Sequence, residues 1–175
     1  LVIESTAEGR EGEFYDMTQR SMALADLKRE LTFRDAIREA LSEEMERQSG
    51  MVIIGEDLLP GGGTFGVHAG FGERFGERMF EAPIAESAIV GVALGAAVAG
   101  GPAVAEIMYS DFLCVCMDEI VNQAAKLRYM TGGQARVPLV VRSPIGMTRG
   151  VGAQHSQSLE AWFAHVPGLR VVMPS

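Results

Sequence analysis

The sequence predicts an α/β protein: an open, mostly parallel sheet with helices on both faces. Short apolar runs without polar alternation recur along the chain, as in strands that are buried on both faces. Segments with apolar residues at helical spacing separate these runs. Strands that alternate with helices are joined by right-handed crossovers, which place the strands parallel in one sheet. The 175 residues are enough for one domain with a substantial core.

The predicted elements follow one another from Thr32. Thr32-Phe-Arg-Asp35 resembles a capping box with Asp in place of Glu, so the first helix begins here and ends near Gly50. The later helices are predicted over 86–100, 112–129 and 156–165, with a short helix and a strand within 71–80. The other strands are predicted over 51–55, 103–107, 137–142 and 169–173.

The two ends of the chain differ from this pattern. Residues 1–30 mix acidic residues with Gly and Ser at poor apolar spacing, which predicts a flexible N-terminal arm or residues added ahead of a start at Met17 or Met22. The folded domain is predicted over 31–175. Because the chain stops at Ser175, directly after a predicted strand, we expect a fragment of a longer protein.

Composition excludes several classes of partner. The net charge is −8, the pI is about 4.9 and no basic patch stands out, so we expect no nucleic-acid partner. The longest apolar run, 88–105, is interrupted by glycines and a proline, which predicts a core helix and a strand rather than a membrane span. Cys114 and Cys116 predict buried thiols in a reducing compartment.

Two titratable residues are candidates for chemistry. Glu86 opens an apolar helix in which Gly91 and Gly95 lie one turn apart, where another backbone can approach closely. Its carboxylate is either an ordinary first-turn acid or a proton donor and acceptor held in a dry place. His155 follows a Gly-rich loop and is either a structural histidine or an acid–base group. His68 and His165 are predicted to be structural or peripheral.

The segments that follow strand ends are the candidate ligand site. In parallel sheets ligands collect at the carboxyl ends of the strands. Here these segments are Glu56-Asp57, Tyr109–Phe112 and Ser143–His155. The glycine-rich loop 60–70 matches a dinucleotide fingerprint only formally, and we expect it to help form a site rather than bind a nucleotide.

Four stretches resemble a known family. The stretches are Gly55-Glu-Asp57 with Gly63-Thr-Phe-Gly66; Ala82-Pro-Ile-Ala-Glu86 with Gly91 and Gly95; Glu106–Phe112 with Asp118 and Tyr129–Gly133; and Gln154-His-Ser-Gln157 with Phe163–Gly168. Through them the chain from Thr32 to Ser175 resembles the pyrimidine-binding domain of thiamine-diphosphate enzymes. Within that group it is similar to the β subunit of the decarboxylating component of 2-oxo acid dehydrogenases, in the pyruvate and acetoin branch.

The resemblance implies roles for three residues. Glu86 matches the glutamate that hydrogen-bonds the ring nitrogen of the cofactor's aminopyrimidine, and Phe112 matches the aromatic residue that packs on that ring. His155 matches an active-site histidine that guides proton transfers and the handover to the lipoyl arm. The implied reaction is oxidative decarboxylation or cleavage with acyl transfer to lipoamide, with the hard chemistry supplied by thiamine diphosphate.

The resemblance also implies parts outside this chain. The Gly-Asp-Gly motif that holds the diphosphate through magnesium is absent from the sequence and sits on the α subunit in the heterotetrameric branch. The family's C-terminal domain is absent beyond Ser175. A structural potassium ion in some members would use a backbone carbonyl near Leu139. Met108 stands where branched-chain members tend to carry Gln, which tilts the expected substrate toward pyruvate or acetoin.

The resulting functional prediction is the β subunit of a thiamine-diphosphate 2-oxo acid or acetoin dehydrogenase. Its implied partners are an α subunit in an α2β2 heterotetramer, a lipoyl acyltransferase core and a small 2-oxo acid or acetoin. We expect no membrane partner, and a location in the bacterial cytoplasm or, in a eukaryote, in the mitochondrial matrix. The alternatives are a transketolase-like thiamine-diphosphate transferase and a non-catalytic assembly subunit.

Overall fold

The structure, a computed structural model, describes residues 2–5, 32–147 and 150–174. In these residues the sheet has six strands in the order β3-β2-β4-β5-β1-β6. The strands are β1 (Val2–Ser5), β2 (Val52–Gly55), β3 (Met79–Glu81), β4 (Ala103–Glu106), β5 (Leu139–Arg142) and β6 (Leu169–Val172). β3, β2, β4 and β5 pair in parallel, which confirms the predicted fold class.

β1 is a strand that the sequence did not predict. It lies between β5 and β6 and runs antiparallel to both. Four residues carry too short a pattern to distinguish a strand from the start of an arm. The rest of the predicted arm, residue 1 and residues 6–30, lies outside the described residues.

Helices cover both faces of the sheet. The helices are α1 (Phe33–Arg47), α2 (Phe71–Phe75), α3 (Glu86–Val98), α4 (Ala125–Met130) and α5 (Glu160–Ala164). α1 and α2 pack on the face that presents Ile53 and Val104. α3, α5 and the segment 113–124 pack on the opposite face, which presents Ile54 and Ala105. Neighbouring residues of one strand thus enter two different cores, which is why these strands are apolar throughout.

The first helix begins as the sequence predicts. The Thr32 hydroxyl accepts a hydrogen bond from the Asp35 backbone N–H at 3.2 Å. The same hydroxyl donates to the Asp35 carboxylate at 2.6 Å, which is not the return bond to the backbone that a complete capping box would form. The helix ends at Arg47, three residues before the predicted stop.

The helix predicted over 112–129 is confirmed for its larger, C-terminal part. A 3₁₀ helix spans Ser110–Cys114, and the chain is then continuously helical over 117–130, where the π-helix Glu119–Ala124 runs directly into the α-helix Ala125–Met130. Cys116, Ile120 and Ala124 are buried at intervals of four residues, so this segment packs one face on the core, as predicted.

Two smaller expectations also need correction. In the described residues no backbone atom lies within 4 Å of a Cβ built at Gly91 or Gly95, and the only atom near Gly91 is the Cγ of Glu119, at 3.9 Å. Among the described residues, the two glycines therefore do not serve the close approach of another backbone segment. Of the two cysteines, Cys116 is buried but Cys114 is exposed.

Shorter elements complete the connections. 3₁₀ turns occupy Pro60–Gly62, Gly76–Arg78 and Ala153–His155. α5 begins four residues later than the helix predicted over 156–165, and the exposed His165 caps its end. β6 begins at the predicted residue and ends one residue before the predicted end. Among the described residues, no helix combines the length and apolar character needed to cross a bilayer.

Candidate active site at the carboxyl ends of the strands

The structure brings together the three segments that follow β2, β4 and β5. The Ile107 N–H donates to the Arg142 carbonyl at 2.9 Å, and the Ser110 N–H donates to the Pro144 carbonyl at 3.0 Å. A small cleft opens between these segments and the glycine-rich loop. Its lining includes Glu56, Asp57, Gly63, Thr64, Phe65, His68, Glu106, Met108, Arg142 and Pro144. The predicted site edge is thus one continuous surface.

A buried ion pair forms one wall of the cleft. Glu106 and Arg142 are register partners at the ends of β4 and β5. The guanidinium donates through Nε to one oxygen of the Glu106 carboxylate at 2.6 Å and lies 2.6 Å from the other oxygen. His68 Nε2 lies 3.4 Å from Glu106 Oε1. Burial alone would raise the pKa of Glu106, but the Arg142 charge and the contact with His68 hold that pKa at about 2.

This ion pair was missed by the sequence analysis. Both strands are apolar runs that end in a charged residue, Ala103-Val-Ala-Glu106 and Leu139-Val-Val-Arg142. Opposite charges at equivalent ends of neighbouring strands are a signal that could have predicted the pair. His68, which the sequence analysis expected to be structural or peripheral, is 4% exposed, packs edge-on against Phe71 and lines the cleft.

Glu86 lies in the dry environment that the sequence suggested. It is the first residue of α3 and is 7% exposed. Among the described residues, no cation forms an ion pair with its carboxylate. Glu56 lies close enough for the two charges to interact, and burial, with the charges of Glu86 and Asp57, raises the pKa of Glu56. Glu56 Oε2 is buried without a hydrogen-bond partner.

The second half of the site is aromatic. The His155 ring lies against Phe112 with centroids 5.1 Å apart and an interplanar angle of 88°. Tyr109 contacts the same imidazole at 4.6 Å and 75°. His155 Nδ1 is buried and has no hydrogen-bond partner. The structure therefore brings two of the predicted residues, Phe112 and His155, into direct contact.

The residue after Glu86 connects the start of α3 to the aromatic half of the site. The hydroxyl of the next residue, Ser87, donates to the Val115 carbonyl at 2.8 Å, which ties the start of α3 to the segment that carries Phe112. Cys116, on the same segment, has its pKa raised to about 12 by burial and by the nearby Glu119 and Glu86 charges. This thiol is a core side chain and not a nucleophile.

Leu139 lies away from these residues. It is the first residue of β5, three positions before Arg142, and its side chain is 1% exposed in the core beneath α3. In the described part of the chain, no group of three or more His, Cys, Asp or Glu side chains is arranged to hold a metal ion.

Comparison with known proteins identifies relatives. Residues 29–175 match the family described as transketolase, pyrimidine binding domain. The chain is 44% identical over 159 residues to the acetoin:2,6-dichlorophenolindophenol oxidoreductase β subunit of Cupriavidus necator, covering 85% of this chain and 47% of that protein. It is 45% identical over 146 residues to the 2-oxoisovalerate dehydrogenase β subunit of Bacillus subtilis, covering 83% and 45%.

A third relative is the mitochondrial pyruvate dehydrogenase E1 component subunit β-1 of Arabidopsis thaliana. It is 40% identical over 173 residues, which cover 98% of this chain and 47% of that protein. The chain thus spans about half the length of the curated relatives it matches. All three relatives are β subunits of dehydrogenases or oxidoreductases.

Proposed function

Because the chain belongs to the transketolase pyrimidine-binding domain family, we propose that it is part of the β subunit of a thiamine-diphosphate-dependent 2-oxo acid or acetoin dehydrogenase. The whole enzyme would cleave or oxidatively decarboxylate a pyruvate-like substrate or acetoin and pass the acyl group to lipoamide. The similarity to acetoin, 2-oxoisovalerate and pyruvate dehydrogenase β subunits supports this class of reaction.

The observation that carries the proposal is the buried Glu86 carboxylate. A carboxylate that is 7% exposed and lacks a cation is costly unless a ligand completes its interactions. A protonatable ring nitrogen of an aminopyrimidine is such a ligand, because it can share a proton with the carboxyl group. The residues present therefore fit this part of the cofactor, and thiamine diphosphate would supply the nucleophilic carbon when bound.

Phe112 and His155 complete the proposed site. The half-buried Phe112 ring offers a flat apolar surface for the pyrimidine. The imidazole of His155 touches that ring, and an imidazole beside the cofactor can exchange a proton with the substrate near neutral pH. Glu86 would thus hold the cofactor, and His155 would guide proton transfer and the handover to the lipoyl arm.

An α subunit is the proposed partner for the rest of the site. The sequence has no Gly-Asp-Gly motif for the magnesium-bound diphosphate, which we assign to that subunit. Large apolar side chains are exposed around α3, at Ile84 (82%), Val92 (59%) and Val115 (56%), which fits a surface that another subunit covers. The full assembly would be an α2β2 heterotetramer docked to a lipoyl acyltransferase core.

Potassium and the compartment belong to the same proposal. The Leu139 carbonyl would be one oxygen ligand of a structural potassium ion, with further oxygens from other residues of the full-length subunit. The enzyme would work in the cytoplasm of a bacterium or in the mitochondrial matrix of a eukaryote.

The decisive experiment replaces Glu86 in the assembled enzyme. The full-length β subunit is co-expressed with its α subunit, and exchange of the cofactor's reactive C–H proton with deuterated solvent is followed by NMR. We expect Glu86→Gln to abolish exchange while the complex still assembles, because the amide cannot share the proton. Glu43→Gln, on the exposed side of α1, is the matched control and should exchange as the wild type does. Exchange at the wild-type rate in Glu86→Gln would refute the assignment.

A further inference from the structure

The His155 imidazole lacks the usual support of a catalytic histidine. Such a ring is normally oriented by a hydrogen bond to the nitrogen that does not react. Here Nδ1 is buried without a partner. His155 ends a single 3₁₀ turn that follows Gly152, whose φ is +79°. Within the described chain, neither a hydrogen bond to Nδ1 nor a long element therefore fixes the ring, and its orientation must come from other contacts.

Tyr109 supplies the closest of these contacts. Its ring lies 4.6 Å from the imidazole, against 5.1 Å for Phe112, and all three rings meet edge to face. Tyr109 is itself held on its other side by Phe65, at 5.7 Å and 83°. Such perpendicular pairs have a preferred geometry, so the two neighbours restrict the plane of the imidazole.

The backbone that carries His155 is tied to the same short segment. Gln157, two residues after His155, donates from Nε2 to Asp111 Oδ1 at 2.6 Å. The Gln157 carbonyl accepts from the Ser110 hydroxyl at 2.8 Å and from the Gly146 N–H at 3.0 Å. Ser110 and Asp111 are both buried. The residues between Tyr109 and Phe112 therefore hold the loop, while the two rings hold the side chain.

We propose that Tyr109 and Asp111 are positioning residues for His155: Tyr109 orients the imidazole and Asp111, through Gln157, fixes the loop that carries it. Neither residue is assigned a contact with substrate or cofactor. The inference rests on the proposed function, because it concerns the step that His155 performs. Misplacing a reacting group by about 1 Å is enough to slow a step by up to about 100-fold.

The test compares two rates in the full-length, cofactor-loaded αβ complex. Decarboxylation or acetoin cleavage is followed with an artificial electron acceptor, and lipoyl acylation is followed with the lipoyl domain. We expect Tyr109→Ala and Asp111→Ala each to slow lipoyl acylation by a factor about 10-fold or more larger than the factor by which they slow decarboxylation or acetoin cleavage. Tyr109→Phe keeps the ring contact and Asp111→Asn keeps an acceptor oxygen for Gln157, so both should behave as the wild type does.

A double-substitution cycle separates positioning from a general structural role. If Tyr109 acts through His155, then adding Tyr109→Ala to His155→Ala should cause no further loss of acylation. Equal slowing of both rates by Tyr109→Ala and Asp111→Ala, or a further loss in the double variant, would overturn the positioning role. Asp111→Ala serves as an independent probe if Tyr109→Ala fails to assemble. An assembled wild-type complex that shows neither rate would instead overturn the proposed function itself.

Discussion

Glu106 and Glu56 lie at the same edge of the sheet but in opposite electrostatic situations. Glu106 ends β4 opposite Gly55, the last residue of β2, and Glu56 directly follows Gly55. Arg142 engages both oxygens of the Glu106 carboxylate, whereas Glu56 keeps one oxygen buried without a hydrogen bond. Burial and nearby acids raise the pKa of Glu56, while the Arg142 and His68 contacts outweigh burial and lower that of Glu106.

This difference distinguishes a charge that stabilises the fold from a charge that is available to a ligand. The Glu106–Arg142 pair is satisfied within the chain, so its role is to hold the ends of β4 and β5 together. Within the described chain, Glu56 keeps one carboxylate oxygen buried without a hydrogen bond, and the buried Glu86 has no ion pair. Such acids are the kind of group that a site keeps for a ligand. This edge of the sheet thus combines a rigid ion pair with acids that can take up a ligand.

The largest effect is expected from Glu106→Gln. The substitution leaves Arg142, which is 9% exposed, as a buried charge without its counter-ion. Breaking one side of a buried pair costs about 3–5 kcal/mol of stability. Urea unfolding of the variant and the wild type, measured in parallel, gives this difference directly.

The control removes both charges. Glu106→Gln combined with Arg142→Gln leaves no unpaired ion, so the double variant should recover a large part of the lost stability. A double variant as unstable as Glu106→Gln would show that packing at this position matters more than the orphaned charge.

A pH dependence follows from the lowered pKa of Glu106. Its pKa falls from the ordinary 4.5 to about 2 on folding, so the unfolded chain binds the proton more tightly. The stabilisation is therefore complete above about pH 4.5 and is lost as the pH falls from there toward about 2. Unfolding measured across this window should show a steeper loss in the wild type than in the double variant, and identical slopes would contradict the assignment.

Much of the fold was predictable because single strands carry their own signal. Val52–Gly55 and Ala103–Glu106 present apolar residues to both faces of the sheet, and a glycine or proline, Gly50 or Pro102, lies just before each apolar run. The π-helix over Glu119–Ala124 was not predictable in this way. A run of only six residues is too short for its apolar spacing to distinguish a π-helix from an α-helix. It depends on the core that α3 and the strands form around it.

The site residues also differ in how far a single sequence could predict them. The position of Glu86 at a helix start and its burial follow from the apolar residues around it. The contact between Phe112 and His155 joins segments more than forty residues apart in the sequence. The positions of both segments after strand ends predicted that they lie at the site, but not that these two rings touch. The Glu106–Arg142 pair joins two strands whose register a single sequence does not give.

The smallest effect on stability is expected from Glu56→Gln. This is the same chemical change as Glu106→Gln, made at the other of the two compared glutamates. The raised pKa of Glu56 means that folding disfavours its ionised form, so its contribution to stability is greatest below about pH 4.5 and declines as the pH rises through its folded pKa. At neutral pH the neutral amide should therefore leave the protein as stable as the wild type or slightly more stable. The gain should stay below about 1 kcal/mol, because Glu56 is half-buried and solvent screens its neighbours.

Glu43→Gln, exposed on α1, should show no such gain. A clear loss of stability in Glu56→Gln at neutral pH would mean that this carboxylate is satisfied after all, and the contrast between the two glutamates would fail.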